Sequence, residues 1–213
     1  TLTIGDASGE MGNALASVPL GQNALDIDVG HYFACARLQD KSVKCWGDNA
    51  WGQLGLGHTN RIGDNAGEVA ALTGISLGTG VMAEKLAVTQ ESVCVLTNSN
   101  TVKCWGRNDV GQLGIGTTSN IGDGGGEMGN ALASVPLGQN ATDVWMSAHN
   151  TCAKLADNSV KCWGANSVGQ LAIGNANHIG DGAGEVAAAA AIDPGVNYDI
   201  LGISHAKTSG YAN

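Results

Sequence analysis

Short apolar runs, broken by polar and glycine-rich stretches, alternate along the whole chain. Residues 24–29 read ALDIDV and residues 141–147 read ATDVWMS, with the every-second-position pattern of a half-buried strand. Two further runs follow each such segment across a polar tip: FACARL then SVKCWG, VCVL then TVKCWG, TCAKL then SVKCWG. These predict hairpins. The tips QDK (39–41), NSN (98–100) and ADN (156–158) are rich in Asp and Asn, which tolerate the left-handed backbone of three-residue hairpin loops. The segments GQLGLG, GQLGIG and GQLAIG that come next predict a fourth short strand, and no amphipathic helical stretch competes with these readings.

The pattern is periodic. IGD recurs at Ile4, Ile62, Ile121 and Ile179, and VKCWG at Val43, Val102 and Val160, always stepping by 58 or 59 residues. A period of this length signals a solenoid or propeller. Four antiparallel strands per unit fit a propeller blade, so the expected fold is all-β, with about three and a half repeats in a single array. The expected divisions are residues 1–23 as the end of a preceding blade, repeats at 24–80, 81–140 and 141–197, and the start of a further, degraded repeat at 198–213. Both ends fall inside a repeat, which reads as a window on a longer chain. The sixteen residues GEMGNALASVPLGQNA stand verbatim at 9–24 and 126–141, which suggests duplication of a pair of blades.

Composition narrows the function classes. The chain has 213 residues, 43% hydrophobic and 14% charged, with 33 glycines against 3 prolines, which suits many tight turns. Its net charge of −9, from 19 acidic and 10 basic side chains, argues against a surface that neutralises phosphates, and hence against nucleic acid as partner. No run approaches the 18 or more apolar residues of a membrane span; the longest candidate is VAAAAAI at 186–192. The sequence starts at Thr1 with neither an initiator Met nor a signal-peptide pattern.

Six cysteines fall in three pairs ten residues apart: Cys35 with Cys45, Cys94 with Cys104, Cys152 with Cys162. Across a three-residue tip each pair is a direct cross-strand neighbour, within reach of a disulfide. One bridge per repeat implies an oxidising compartment, extracellular or lumenal. Reduced core thiols are the alternative; zinc lacks a CxxC or paired His nearby.

The order HxxCA.L followed by SVKCWG.N..GQLGLG resembles the regulator of chromosome condensation repeat, and its Cys-bearing form with the GEMG insertion is similar to that of secreted and microbial members. The likeness covers essentially the whole chain and implies part of a seven-bladed β-propeller of four-stranded antiparallel blades. It implies further that Trp46, Trp105 and Trp163 pack between neighbouring blades and that Gly47, Gly106 and Gly164 let the backbone turn beside them. Two departures stand out. Phe33, Ser92 and Asn150 occupy the place where the family carries His, and Thr208 stands roughly where a Cys belongs.

Several motifs carry candidate chemistry. The loops IGDASGE, IGDNAGE, IGDGGGE and IGDGAGE pair Asp6 with Glu10, Asp64 with Glu68, Asp123 with Glu127 and Asp181 with Glu185. Such paired carboxylates offer oxygen ligands to calcium, while the competing reading has Asp capping a turn and Glu solvating the loop. GTGVMA at 78–83 has the form of a dinucleotide fingerprint, which needs a preceding strand and a following crossover helix, but the other repeats read GQNALD and GQNATD there, so a repeat-wide loop explains it better. The five histidines occupy different phases of the repeat. No GxSxG motif appears, and no lone reactive Cys remains once the pairs are made, so no nucleophilic apparatus is visible. Trp51 and Trp145 lie outside the repeating CWG and are candidate anchors. Asn140 heads the sequon Asn140-Ala141-Thr142 and is a glycosylation candidate.

These features point to a non-enzymatic binding or structural module whose acidic rim loops face a protein partner, as a segment of a larger assembly. A calcium-dependent, lectin-like domain is the rival reading. The guanine-nucleotide-exchange role of nuclear family members is disfavoured by the cysteine pairs and the acidity.

Overall fold

The computed structural model describes residues 4–192. Among the described residues nine strands form three antiparallel sheets of identical layout. The first contains β1 (Ala24–Val29), β2 (Phe33–Leu38) and β3 (Val43–Gly47). The second contains β4 (Ala83–Val88), β5 (Ser92–Thr97) and β6 (Val102–Gly106). The third contains β7 (Ala141–Ser147), β8 (Asn150–Leu155) and β9 (Val160–Gly164). Each inner strand carries a register shift at the same place, Ala24/Asp26, Ala83/Lys85 and Ala141/Asp143. Such repetition is what a propeller needs, since every blade must present the same twist to its neighbour. The expected degraded repeat at 198–213 lies outside the described residues.

The hairpins close as the tips dictate. Lys41, Asn100 and Asn158 hold φ of 65°, 59° and 69°, the left-handed residue that ends each three-residue tip. Asp40 and Asp157 reinforce two of these turns, each accepting the backbone N–H and the hydroxyl of the serine two residues on. Those serine bonds come first in holding both carboxyls down at about 2, and the side-chain amides of Gln22 and Gln139 add to them.

The GQLG segments form a turn in place of the expected fourth strand. Gly52, Gly55 and Gly57 have φ of 75°, 65° and 73°, and three left-handed residues in six cannot make an extended run. The turn closes on itself through Gly52 N–H to Asn49 O and Gly55 N–H to Gly52 O. Asn49 pins it from the side: its Oδ1 accepts from Leu54 N–H, and its Nδ2 donates to the carbonyls of His58 and Asn60. Asn108 and Asn166 repeat the bond to the turn, at Leu113 and Leu171. The outer edge of each sheet meets the IGD isoleucine at a single bridge: Gly47 with Ile62, Gly106 with Ile121, Gly164 with Ile179.

Core lies between the sheets. One cluster joins Cys35, Val43, Cys45 and Leu54 of the first unit to Leu86, Val88, Val93 and Trp105 of the second. Another joins Cys94, Val102, Cys104 and Leu113 to Val144, Met146 and Trp163. The cysteines therefore sit on the side of each blade that faces the next one, and Cys35–Cys45, Cys94–Cys104 and Cys152–Cys162 are all disulfides between register partners, with Cα atoms 4.1 Å apart.

Candidate functional site: the blade junction and its open face

Two junctions inside the molecule show what the repeated residues do. Trp105 donates its indole N–H to the carbonyl of Gln53 (3.1 Å), and Trp163 donates to Gln112 (3.0 Å). The GQLG turn of one blade thus covers the tryptophan of the next. Its glycines then meet the acidic loop of that next blade, Gly57 N–H on Gly122 O at 2.9 Å and Gly116 N–H on Gly180 O at 3.0 Å. A Cβ on Gly52 or Gly111 would lie 2.3 Å from the amide nitrogen of Asp123 or Asp181, so these glycines are required by close approach. Ion pairs reinforce the seams, Lys41 with Glu84 at 2.6 Å and Lys85 with Asp143.

The acidic loops owe their shape to their glutamates. In all four, one carboxylate oxygen accepts two backbone N–H groups: Glu10 from Gly5 and Ala7, Glu68 from Gly63 and Asn65, Glu127 from Gly122 and Gly124, Glu185 from Gly180 and Gly182. These bonds hold the carboxyl of Glu10 below its ordinary range, Ala7 ahead of Gly5, and that of Glu68, with Gly63 foremost. At Glu185 burial pushes upward, but the Gly182 and Gly180 amides outweigh it; Asp181 is pushed up by burial and then by its neighbour Glu185. Among the described residues no three His, Cys, Asp or Glu side chains converge in an arrangement that could hold a metal ion.

Two of the four loops, at 122–127 and 180–185, take up the preceding blade's turn, whereas the loop at 63–68 does not. Beside it lies an open cleft of about 530 Å³ lined by Tyr32, Trp46, Asp48, Arg61, Ile62 and Asp64. This is the place that corresponds to the covered Trp105 and Trp163. Next to it the first blade leaves Ile27 58% and Val29 51% exposed, where the matching Leu86 and Val88 are 9% and 1%. Tyr32, 71% exposed, stacks on His31 with ring centroids 3.9 Å apart. A second concavity, about 290 Å³, lies where the inner strands end, among Val29, His31, Val88, Thr89, Met146 and Ser147.

The remaining sequence candidates are dispersed. Trp51 belongs to the first junction, with the Arg107 guanidinium 4.7 Å above its ring. Trp145 sits in β7 opposite Cys152. Asn140 is exposed, just before β7, with its backbone carbonyl bonded to Ala156 N–H. Residues 78–83 lead into β4 with no crossover helix after them. Asn49, Asn108 and Asn166 were not singled out by the sequence reading, although each stands three residues after a CWG tryptophan in all three units.

Comparison with known proteins bears on the whole arrangement. The model described as "Regulator of chromosome condensation (RCC1) repeat" matches residues 25–53 and 85–112. Probable E3 ubiquitin-protein ligase HERC4 of Homo sapiens is 28% identical over 154 residues, which are 72% of this chain and 13% of that protein. E3 ubiquitin-protein ligase HERC2 of Mus musculus is 27% identical over 179 residues, 82% of this chain and 3% of that protein. The chain thus spans a small fraction of these relatives. Among solved structures, Prp20p from Saccharomyces cerevisiae superposes with a TM-score of 0.57 at 17% identity, over 75% of this chain and 37% of that one; its description concerns binding to Gsp1p and histones. Human WBSCR16 gives 0.55 at 17% identity, over 68% and 34%. At such identities the likeness shows the fold, a partial β-propeller.

Proposed function

From a chain built of regulator of chromosome condensation type repeats, we propose a non-enzymatic protein-interaction module that works as a segment of a larger assembly outside the reducing cytosol. The observation that carries this reading is the first blade's open face. Ile27, Val29 and Trp46 are apolar at positions that protein covers in both sister blades, and an apolar patch left uncovered among the described residues marks an interaction surface. The partner is protein, because the face matches a protein-covered one and the net charge of −9 disfavours phosphate backbones. Prp20p, whose description names protein partners, lends the same direction by likeness of fold. Three disulfides in 213 residues favour an oxidising compartment.

The repeats run, in this proposal, at 24–80, 81–140 and 141–197, and Asn140 carries glycan when the chain is secreted. The acidic loops are clasped by their glutamates and need no calcium. The experiment is a double substitution, Ile27→Asp with Val29→Asp. Both side chains are half-exposed, so the folded chain keeps its melting midpoint, while the native assembly loses this subunit on size exclusion. Retention of the subunit, or a native species of only 21.4 kDa, overturns the reading.

A further inference from the structure

The residue after each loop glutamate is Met11, Val69, Met128 and Val186 in turn. Val186 is 2% exposed and belongs to the core between the second and third blades. Met128 takes the matching place between the first and second, packed against the cluster that holds Trp105. A Cβ on Gly55 would lie 3.0 Å from Nε1 of Trp105 and 3.1 Å from Cε of Met128, so the thioether methyl, the indole edge and the glycine turn meet at one point. This is the turn whose Gln53 carbonyl accepts the indole N–H. An unbranched thioether suits such an irregular gap.

The two seams differ in access. Val186 is sealed, whereas Met128 is only partly buried and lines a cleft of about 320 Å³ with Leu56, Thr73, Ile75, Gly124 and Gly126. Three consecutive glycines, Gly124 to Gly126, put no side chain over that approach, where the sister loop has Ala183. Two other methionines bracket this one. Met146 is 1% exposed, and Met82 is 45% exposed in the segment before β4, with its backbone bonded to Asn98 of its own blade's hairpin tip.

We propose that Met128 is a redox-sensitive latch on the first seam: a hydroperoxide converts its thioether to the sulfoxide, and the sulfoxide loosens the first blade from the second. In the step a sulfur lone pair takes one oxygen of hydrogen peroxide as the O–O bond breaks. The proton of the transferred oxygen passes to the departing hydroxide, which leaves as water; sulfur is oxidised by two electrons and the peroxide is reduced by two. The product is polar where the thioether was apolar, and a polar group buried without a partner is costly. The sulfoxide therefore turns to the cleft and draws the methyl off Gly55 and Trp105. With Val186 at this place and Met146 sealed, the second seam stays shut.

The test treats the full, disulfide-intact chain with hydrogen peroxide. Conversion at each methionine is read by peptide mass, together with the melting midpoint and the exchange of the indole N–H groups. Met82 is expected to convert first, Met128 next and Met146 last. The midpoint is expected to fall by about 2–4 °C in step with Met128 rather than Met82, and exchange at Trp105 to quicken while Trp163 keeps its protection. Met128→Val, which copies the sister seam, and Met128→Leu are each expected to keep midpoint and protection under the same treatment. Resistance of Met128 equal to that of Met146, a midpoint that tracks Met82, equal quickening at Trp163, or the same loss in both Met128 variants would each overturn the inference.

Discussion

The first and second blades have nearly the same sequence plan and different surroundings. In the second blade Trp105 is fully buried under Gln53, and Leu86 and Val88 pack against the first blade. In the first blade Trp46 is only partly covered, and Ile27 and Val29 point at solvent. A blade is thus not a finished unit; the apolar face that carries Leu86, Val88 and Trp105 becomes core only against the preceding blade. This is the nearest-neighbour logic of repeat proteins, in which interface terms carry much of the stability.

Substitutions at matched positions sharpen the contrast. Trp105→Ala is expected to cost about 3–5 kcal/mol, the range for truncating a buried large aromatic, and Trp46→Ala under ~1 kcal/mol, both read from chemical denaturation. Leu86→Ala is expected to cost about 2–4 kcal/mol, and Ile27→Ala a small fraction of that. Equal losses within either pair would mean that the first blade is as covered as the second.

The disulfides extend the comparison to the other end. Cys94–Cys104 is wholly buried against the third blade, whereas Cys152 and Cys162, with no further blade against them among the described residues, are half-buried. Each bridge closes a loop between residues ten apart, and on the chain-entropy view each contributes about 2–3 kcal/mol. Under mild reductant Cys152–Cys162 is expected to open first, as followed by alkylation and peptide mapping. Preferential loss of Cys94–Cys104 would contradict the burial order.

A smaller effect separates the hairpin tips by pH. Asp40 and Asp157 are carboxylates held at about 2, below the ordinary 3.8, while the second blade closes its tip with Thr97, whose hydroxyl bonds Ser99 and Thr101. A lowered folded value means that the stabilisation is present above pH 4 and is lost as pH falls from about 4 to 2. Acid titration of Asp40→Asn with Asp157→Asn should be flatter over that window, and Asp-free changes in the second tip should leave the profile alone. Smallest of all, a chelator is expected to leave the midpoint unchanged, because the four glutamates already bond two amides each.

Much of the fold was legible because it is written in local terms. The ten-residue cysteine spacing, the Asp and Asn of the tips and the alternation in residues 24–29 each depend on neighbours along the chain. The GQLG segments misled for an equally local reason: leucine alternating with glycine imitates a strand, and only the left-handed backbone reveals the turn. The glutamates of the acidic loops were weighed as metal ligands because their partners are backbone amides three and five residues back, which carry no letter in a sequence. The rim loops were expected to be a recognition surface throughout, yet two of them receive the preceding blade's glycines. What distinguishes the open loop at 63–68 is the absence of a neighbour among the described residues, and no residue type encodes that.

Hydrogen exchange at the three CWG indole N–H groups tests most directly whether glycine turns seated on tryptophans join the blades. The account predicts strong protection of Trp105 and Trp163 and rapid exchange of Trp46 in the chain alone. Equal protection at all three, or rapid exchange at Trp105 and Trp163, would contradict it.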